Sequence, residues 1–176
     1  MAGAVFLEGD QVELRTIEEE DIEFLQKNIN KQEIRKYLTV RKPVNKVQQQ
    51  DFFQEAVSSD QDVQLAICSD GEIAGIISLE DEQDDIGAAT LGLWIASEYQ
   101  RNGYGTEAAR LITEYGFNEL NYHRISARAY EYNKGSQKIW KKLGFQKEGE
   151  LREKTFYDGE FGDILIYGVL EHEWRN

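Results

Sequence analysis

The sequence predicts one α/β domain over residues 1–176, built on a mixed β-sheet with flanking helices. The length of 176 residues, 40% of them apolar, suits one compact core and leaves little room for a second. The chain has a single proline, Pro43, and no Pro-, Gly- or Ser-rich linker that would mark a domain boundary. Short runs with strand alternation are interspersed with longer runs of helical period, which is typical of a sheet with crossover helices.

The first half of the chain holds four predicted strands and three predicted helices. The strands are 11–16, 62–69, 72–80 and 88–96, and the helices are 17–29, 31–38 and 45–59. Asp70-Gly71 separates two of the strands, and this pair favours a hairpin turn because both residues tolerate a positive φ. The acidic stretch 81–85 is then predicted to be a loop.

The second half of the chain continues the alternation. Its predicted helices are 104–119 and 134–143, and its predicted strands are 124–130, 146–156 and 163–171, with a turn at Asp158-Gly159 between the last two strands. The total is about seven strands. Strand 88–96, the helix that follows it and strand 124–130 are expected to form a parallel βαβ unit with a right-handed crossover.

The composition excludes several function classes. With 33 acidic and 20 basic residues the net charge is −13, which repels nucleic acid phosphates. The acidic residues are dispersed over the chain, and the mean hydropathy is −0.61. We therefore hypothesise a high-salt organism whose proteins stay soluble through carboxylate-rich surfaces. No apolar run approaches the roughly 20 residues that cross a bilayer, so we expect no membrane association and a cytoplasmic location.

Disulfide and metal chemistry are also not expected. Cys68 is the single cysteine, so the chain has no disulfide framework and no cysteine cluster. His123 and His172 lie far apart with no ligand spacing between them. We predict no metal site.

Gly103 and Gly105 stand at the start of a predicted helix, in the stretch "QRNGYG". A P-loop would need Lys and then Ser or Thr directly after the last glycine, but Thr106-Glu107 follows. A dinucleotide fingerprint matches Gly103, Gly105 and Ala108 in spacing, yet it requires the glycines directly after the strand, and seven residues, 96–102, separate Ile95 from Gly103. The third alternative is a loop whose backbone N–H groups bind a pyrophosphate at the helix N-terminus, with a charge-assisted contact from Arg101.

Two motifs in order, "QRNGYG" and "YNKGSQKIWKKLGF", resemble those of the GNAT superfamily of acetyl-CoA-dependent N-acetyltransferases. The stretches "LRTIEEEDIEFL", "NKQEIRKYL" and "YDGEFGDILIYGVLEHEW" are similar to the RimJ/RimL-like branch, so the resemblance covers nearly the whole chain. It implies a single GNAT domain over 1–176, in which strands 88–96 and 124–130 splay apart to admit the pantetheine arm of acetyl-CoA.

The resemblance also implies which residues bind the cofactor. The main chain of Trp94 and Ile95 would bond the pantetheine amides, and the Ile95 N–H would polarise the thioester carbonyl. Asn133 is an expected helix N-cap that also reaches the pantetheine arm, and Ser136 would lie near the sulfur. The pyrophosphate loop comprises Gln100, Arg101, Asn102, Gly103, Tyr104, Gly105 and Thr106.

Two catalytic roles depart from the superfamily pattern. Many members carry a tyrosine acid four residues after the Ser136 position, where this chain has Trp140, so we expect Ser136 or a water that it holds to protonate the leaving thiolate. The general base of the RimL-like pattern aligns with Thr155, and Glu153 is the expected substitute from the same strand face. The other candidate carboxylates are Glu98, Asp158 and Asp163.

The expected reaction is direct acetyl transfer from acetyl-CoA to a primary amine. Deprotonating a lysine at pH 7 costs roughly 4 to 5 kcal/mol and an α-amine about 1, which favours a peptide or protein N-terminus while leaving a small-molecule amine open. The alternative function is a non-catalytic acyl-CoA-binding regulatory module. A dinucleotide-dependent oxidoreductase ranks third. We expect a monomer or homodimer.

Overall fold

The computed structural model describes residues 3–83 and 85–175, and it shows one mixed sheet with helices on both faces. The eight strands are β1 (Val5–Glu8), β2 (Glu13–Thr16), β3 (Val63–Ser69), β4 (Glu72–Asp81), β5 (Ala88–Ile95), β6 (Arg124–Tyr130), β7 (Gln146–Tyr157) and β8 (Glu160–Leu170). The helices are α1 (Ile22–Ile29), α2 (Gln32–Arg35), α3 (Lys46–Phe52), α4 (Tyr104–Asn118), α5 (Lys134–Lys142) and α6 (Glu171–Trp174). Along the sheet the strands are ordered β1-β2-β3-β4-β5-β6-β8-β7. The predicted fold class is confirmed, with eight strands where about seven were expected.

The additional strand is β1, at one edge of the sheet. It pairs antiparallel with β2, and two of its apolar side chains, Val5 and Phe6, remain largely exposed. The Phe6 ring packs edge-on against Tyr115 of α4, with 5.1 Å between ring centroids. The run "VFLE" lacks polar and apolar alternation, so its pattern does not distinguish a strand from an extended N-terminal segment.

Both predicted hairpin turns are confirmed. Asp70 and Gly71 join β3 to β4 with φ angles of +51° and +79°, and Asp158 and Gly159 join β7 to β8 with +53° and +84°. Two consecutive residues with positive φ match the right-handed twist of the strands they connect.

Two apolar layers hold the helices against the sheet. On one face, Leu91 and Ile125 belong to the main core cluster together with Ala109 and Ile112 of α4. On the other face, Leu25 of α1 and Ile34 of α2 pack with Trp94 in a second cluster. The central strands are therefore buried on both faces, and β5, α4 and β6 form the predicted parallel unit.

The helix ends differ from the sequence prediction where the local geometry changes. A single 3₁₀ turn (Glu19–Asp21) precedes α1, so the predicted helix 17–29 becomes α-helical only at Ile22. α3 continues into a wider π-helical turn (Phe53–Val57), which accounts for the predicted extension toward residue 59. Among the described residues, no helix combines the length and apolar composition needed to cross a bilayer.

Candidate active site

A gap opens between β5 and β6 in the middle of the sheet. Their parallel pairing runs from Ala88 opposite Arg124 to Leu91 opposite Ala127 and then stops. β5 remains paired with β4 as far as Ile95, and β6 remains paired with β8 as far as Tyr130. The two central strands therefore separate over their last residues, which confirms the expected splay.

The strand alternation decides which main-chain groups face this gap. The Ala96 N–H donates to the Ala74 carbonyl of the β4 side over 2.8 Å. Since the peptide groups of an antiparallel strand alternate in direction, those of Trp94 also face β4, whereas those of Leu93 and Ile95 face the gap. Ile95 thus lies as expected, while the peptide of Trp94 does not, and the Trp94 ring is a buried core group stacked on Phe24 with 6.3 Å between centroids.

The loop before α4 has the geometry of an anion-binding site. Its backbone is left-handed at Arg101 (φ +69°) and at Gly103 (φ +89°), the N-cap of α4. The N–H groups of residues 101–105 donate to no acceptor within the described part of the chain. Unpaired first-turn amides and the dipole of a 15-residue helix both favour an anion here.

Side chains of the loop fix its shape. The Gln100 amide donates to the Ile95 carbonyl over 2.8 Å, and the Asn102 amide donates to the Tyr99 carbonyl over 3.3 Å. Gln100 therefore occupies the Ile95 carbonyl and leaves the Ile95 N–H directed at the gap.

The start of α4 packs tightly against the core. Tyr104 is the first helical residue, and the Thr106 N–H donates to the Gly103 carbonyl over 3.0 Å. A Cβ on Gly105 would lie 3.1 Å from the Ile139 side chain of α5. An added Cβ would require the Ile139 side chain to shift by a few tenths of an ångström, so glycine suits the close packing of α4 and α5 at the mouth of the gap.

α5 presents three residues, Asn133, Ser136 and Trp140, to a cavity that lies between the sheet and α1–α3. The Asn133 side chain accepts the Ser136 N–H over 3.1 Å, which confirms the predicted N-cap. Ser136 is half-buried, and Trp140 lies one helical turn further on the same face. The Trp140 indole nitrogen is buried and has no hydrogen-bond partner among the described residues. At the other end, Gly144 (φ +83°) terminates the helix, in agreement with the predicted end at residue 143.

A cavity of about 560 Å³ connects the gap with the space beneath α1–α3. We call α1–α3 the helical arm. Side chains of this arm and of the loop after α2 form one wall of the cavity, which is mostly apolar: Leu25, Ile29, Tyr37, Leu38, Val40, Val44 and Phe52. The opposite wall is the sheet face that carries Ser78, Glu80, Thr90 and Arg128. Asn133, Ser136 and Trp140 lie at the α5 end.

None of the four carboxylates proposed as the base lines this cavity. Glu98 forms an ion pair with Lys31 at 3.4 Å, and a backbone hydrogen bond together with Lys31 lowers its pKa. The pKa of Asp163 is also lowered, chiefly because it accepts the Glu153 N–H over 2.8 Å. A lowered pKa makes both groups weaker bases. Asp158 lies in the exposed turn between β7 and β8.

The expected equivalence of Glu153 and Thr155 is wrong. The pairing of β7 with β8 shifts between Leu151 and Thr155, and Glu153 has a φ of +52° inside this bulge. The bulge breaks the alternation, so the two residues do not share a face. Glu153 is exposed, whereas Thr155 is buried and its hydroxyl accepts a hydrogen bond from Arg41 over 3.1 Å.

Arg41 ties the loop after α2 across the cavity wall. Its guanidinium donates to the Leu38 carbonyl over 2.6 Å and to Thr155, and it lies 5.6 Å from the centroid of the Tyr130 ring. The Tyr132 hydroxyl donates to the carbonyl of Lys36 over 3.0 Å. These contacts hold the loop that supplies Tyr37 through Val40 to the cavity.

Sequence reasoning missed the two charged residues of the cavity, Glu80 and Arg128. Glu80 ends the predicted strand 72–80 beside the acidic stretch 81–85 and received no role, yet it continues the β4 face of Ile76 and Ser78, opposite to the core residues Ile77 and Leu79. The period-two pattern could have identified it, because it places Glu80 on the face covered by the helical arm.

The lone cysteine lies apart from this chemistry. Cys68 is 1% exposed in the second core cluster, and burial raises the pKa of its thiol to about 11. A buried thiol that stays protonated is a poor nucleophile. The structure therefore offers no support for an acyl-cysteine intermediate.

Comparisons with known proteins agree with this geometry. A family model described as an acetyltransferase (GNAT) domain matches residues 11–146. A spermidine N(1)-acetyltransferase of Escherichia coli is 27% identical over 163 residues, covering 93% of this chain and 88% of its own. A Bacillus subtilis protein named "Putative ribosomal N-acetyltransferase YdaF" is also 27% identical, with 94% of each chain covered. The fold matches that of a Vibrio cholerae spermidine N-acetyltransferase solved with CoA and spermine, with a TM-score of 0.88, 21% identity and coverage of 96% of this chain and all of the other.

Proposed function

The chain belongs to the GNAT family of acetyltransferases, and from this premise we propose that it transfers the acetyl group of acetyl-CoA to a primary amine bound in the cavity beneath α1–α3. One catalytic domain over residues 1–176 and the RimJ/RimL-like branch are part of the proposal. The observation that carries it is the continuity of three features: the free amides of 101–105, the gap between β5 and β6, and the cavity beyond the gap.

The residues present fit acetyl-CoA. Free amides at the start of α4 suit a pyrophosphate, and Arg101 adds a positive charge beside them. The main-chain groups of Leu93 and the Ile95 N–H, which are not paired with β6, suit the amides of a pantetheine arm that lies in the gap like an added strand. The cofactor supplies an activated acetyl thioester.

The protein groups then serve the transfer in defined places. The Ile95 N–H faces the gap and can donate to the carbonyl oxygen on which negative charge develops. The amine nitrogen bonds to the acetyl carbon, the carbon–sulfur bond breaks, and CoA leaves as a thiol. Ser136 at the α5 end can relay a proton to the sulfur, whereas the Trp140 indole can only donate a hydrogen bond.

Glu80 replaces Glu153 as the proposed base. It is the carboxylate that lines the cavity, and its neighbour across the ladder, Thr90, lies just before the point where β5 and β6 separate. A carboxylate at this place binds an ammonium group and accepts its proton. The energetic argument favours the α-amine of a peptide N-terminus over a lysine-type amine, since this α-amine costs roughly 3 to 4 kcal/mol less to deprotonate at pH 7.

The names of the relatives support different acceptors. A spermidine acetyltransferase points to a small amine, and a ribosomal acetyltransferase points to a protein amine. A cavity walled by the helical arm favours the small amine. The test is the release of free CoA from acetyl-CoA with a panel of peptides, amino acids, aminoglycosides and polyamines. Tight binding of acetyl-CoA without release by any amine would instead support a regulatory module.

A further inference from the structure

Two oppositely charged side chains line the cavity. Among its described lining residues, Glu80 is the only carboxylate and Arg128 is the only cation. The Arg128 side chain is exposed to the cavity, and its guanidinium has no hydrogen bond or ion pair with any described residue. Among the described residues, the Glu80 carboxylate accepts one hydrogen bond, from the Ser78 hydroxyl over 3.5 Å. Two opposite charges thus share one chamber without pairing with each other.

The sheet register places these charges on the same face. Glu80 lies opposite Thr90, and Thr90 lies opposite Ser126. The hydroxyls of Thr90 and Ser126 lie 2.9 Å apart, and both donate to the Glu82 carboxylate, over 2.7 and 3.2 Å, so this carboxylate is already occupied. Arg128 is two residues beyond Ser126, immediately after β6 leaves β5. With strands about 4.8 Å apart and a rise of about 3.3 Å per residue, the Cα atoms of Glu80 and Arg128 lie roughly 12 Å apart. The two charged ends form no ion pair with each other, and the cavity of about 560 Å³ that they line can hold a small ligand in contact with both.

The facing wall supplies a third kind of contact. Ile29, Leu38, Val40, Val44 and Phe52 present an apolar surface to the same chamber. A ligand seated between Glu80 and Arg128 therefore has apolar side chains above it. Three contacts of different chemistry also fix the handedness of a chiral ligand.

We propose that the acceptor is a free α-amino acid with an apolar side chain, and this proposal rests on the acetyltransferase function above. The amine lies at Glu80, the carboxylate pairs with the Arg128 guanidinium, and the side chain packs on the apolar wall. Arg binds a carboxylate through two parallel hydrogen bonds, which suits this role. The product is the N-acetyl amino acid, formed by the same bond changes, with the amine proton passing to Glu80.

Other amines fit the charge pattern less well. A polyamine would direct a second ammonium group toward Arg128, and like charges repel. A peptide N-terminus places a neutral amide where the carboxylate would lie, so the arginine gains no ion pair. The charge on Arg128 therefore selects against both.

The experiment measures CoA release and acetylated product for leucine, methionine and phenylalanine, each beside its amide, together with spermidine and the dipeptide leucyl-glycine. We expect the amino acids to exceed their amides in kcat/KM by at least about tenfold. Arg128→Ala should raise KM for leucine about ten- to hundredfold, because it removes a hydrogen-bonded charge pair with the leucine carboxylate. The KM for leucinamide, which lacks this carboxylate, should not change. Arg152→Ala, on the exposed edge strand β7, is the matched control.

The outcomes distinguish a failure of the amino acid assignment from a failure of the proposed acetyl transfer. If leucinamide, leucyl-glycine or spermidine reacts as well as or better than the amino acids, acetyl transfer stands and the amino acid assignment is overturned. An equal loss for all acceptors in Arg128→Ala also overturns it, since that pattern indicates a general structural effect. Acetyl-CoA binding without CoA release by any amine would refute the proposed function and this acceptor together.

Discussion

Replacing Gly103 by alanine tests the loop that we assign to the pyrophosphate. Gly103 has a φ of +89°, and an added Cβ would lie 3.6 Å from the Gln11 side chain, an ordinary contact distance. The substitution therefore adds backbone strain without a steric clash, at a cost of about 1 to 2 kcal/mol. In the free protein the loop can relax away from this conformation, so binding must restore it at that cost. We expect the Kd for CoA to rise about five- to thirtyfold.

Gly71→Ala is the matched control for this experiment. Gly71 has a φ of +79° in the turn between β3 and β4, and a Cβ there meets nothing within 4 Å. Gly71→Ala should lower the Tm by roughly 2 to 8 °C and leave CoA binding unchanged. Gly103→Ala, whose loop relaxes in the free protein, should lower the Tm by less and weaken CoA binding in isothermal titration calorimetry. An unchanged Kd in Gly103→Ala, or an equal rise in Gly71→Ala, would refute the assignment of the loop.

Three further predictions concern the reaction and the surface. Glu80→Gln should lower kcat about 10²- to 10⁴-fold with CoA affinity retained, whereas Glu98→Gln should stay near wild type; equal losses would exclude Glu80 as the base. Cys68→Ala should retain activity, and native Cys68 should resist iodoacetamide at pH 8, because the pKa of its thiol is raised to about 11; rapid alkylation in a folded sample would contradict its burial. If the net charge of −13 reflects a high-salt cytoplasm, activity should rise with KCl, and a maximum at low salt would reject that hypothesis.

Local sequence signals predicted the parts of the site that depend on the backbone. Asn133 caps α5 and Gly144 ends it because the preferences of an N-cap oxygen and of a left-handed terminator act within one helical turn. The loop at Gly103 and Gly105 was identified in the same way. Such features need no knowledge of the rest of the chain.

The parts that depend on tertiary contacts were predicted less well. Glu153 seemed to share the face of Thr155, but a bulge in β7 shifts the register between them. Glu80 belongs to an acidic run that resembles solvated surface, and only the cover of α1–α3 makes its place a cavity. Arg128 gives no sequence signal of a role, because its position at the end of the β5–β6 pairing appears only in the assembled sheet.

The most direct test of acetyl transfer is a mass balance with the wild-type protein. Acetyl-CoA is incubated with each amine of the panel at low and high KCl, and free CoA and N-acetylated amine are both quantified by mass spectrometry. We predict amine-dependent CoA release with one acetylated amine formed per CoA. Saturable binding of acetyl-CoA with no release above the rate without amine, for every amine and salt concentration, would contradict acetyl transfer by this cavity.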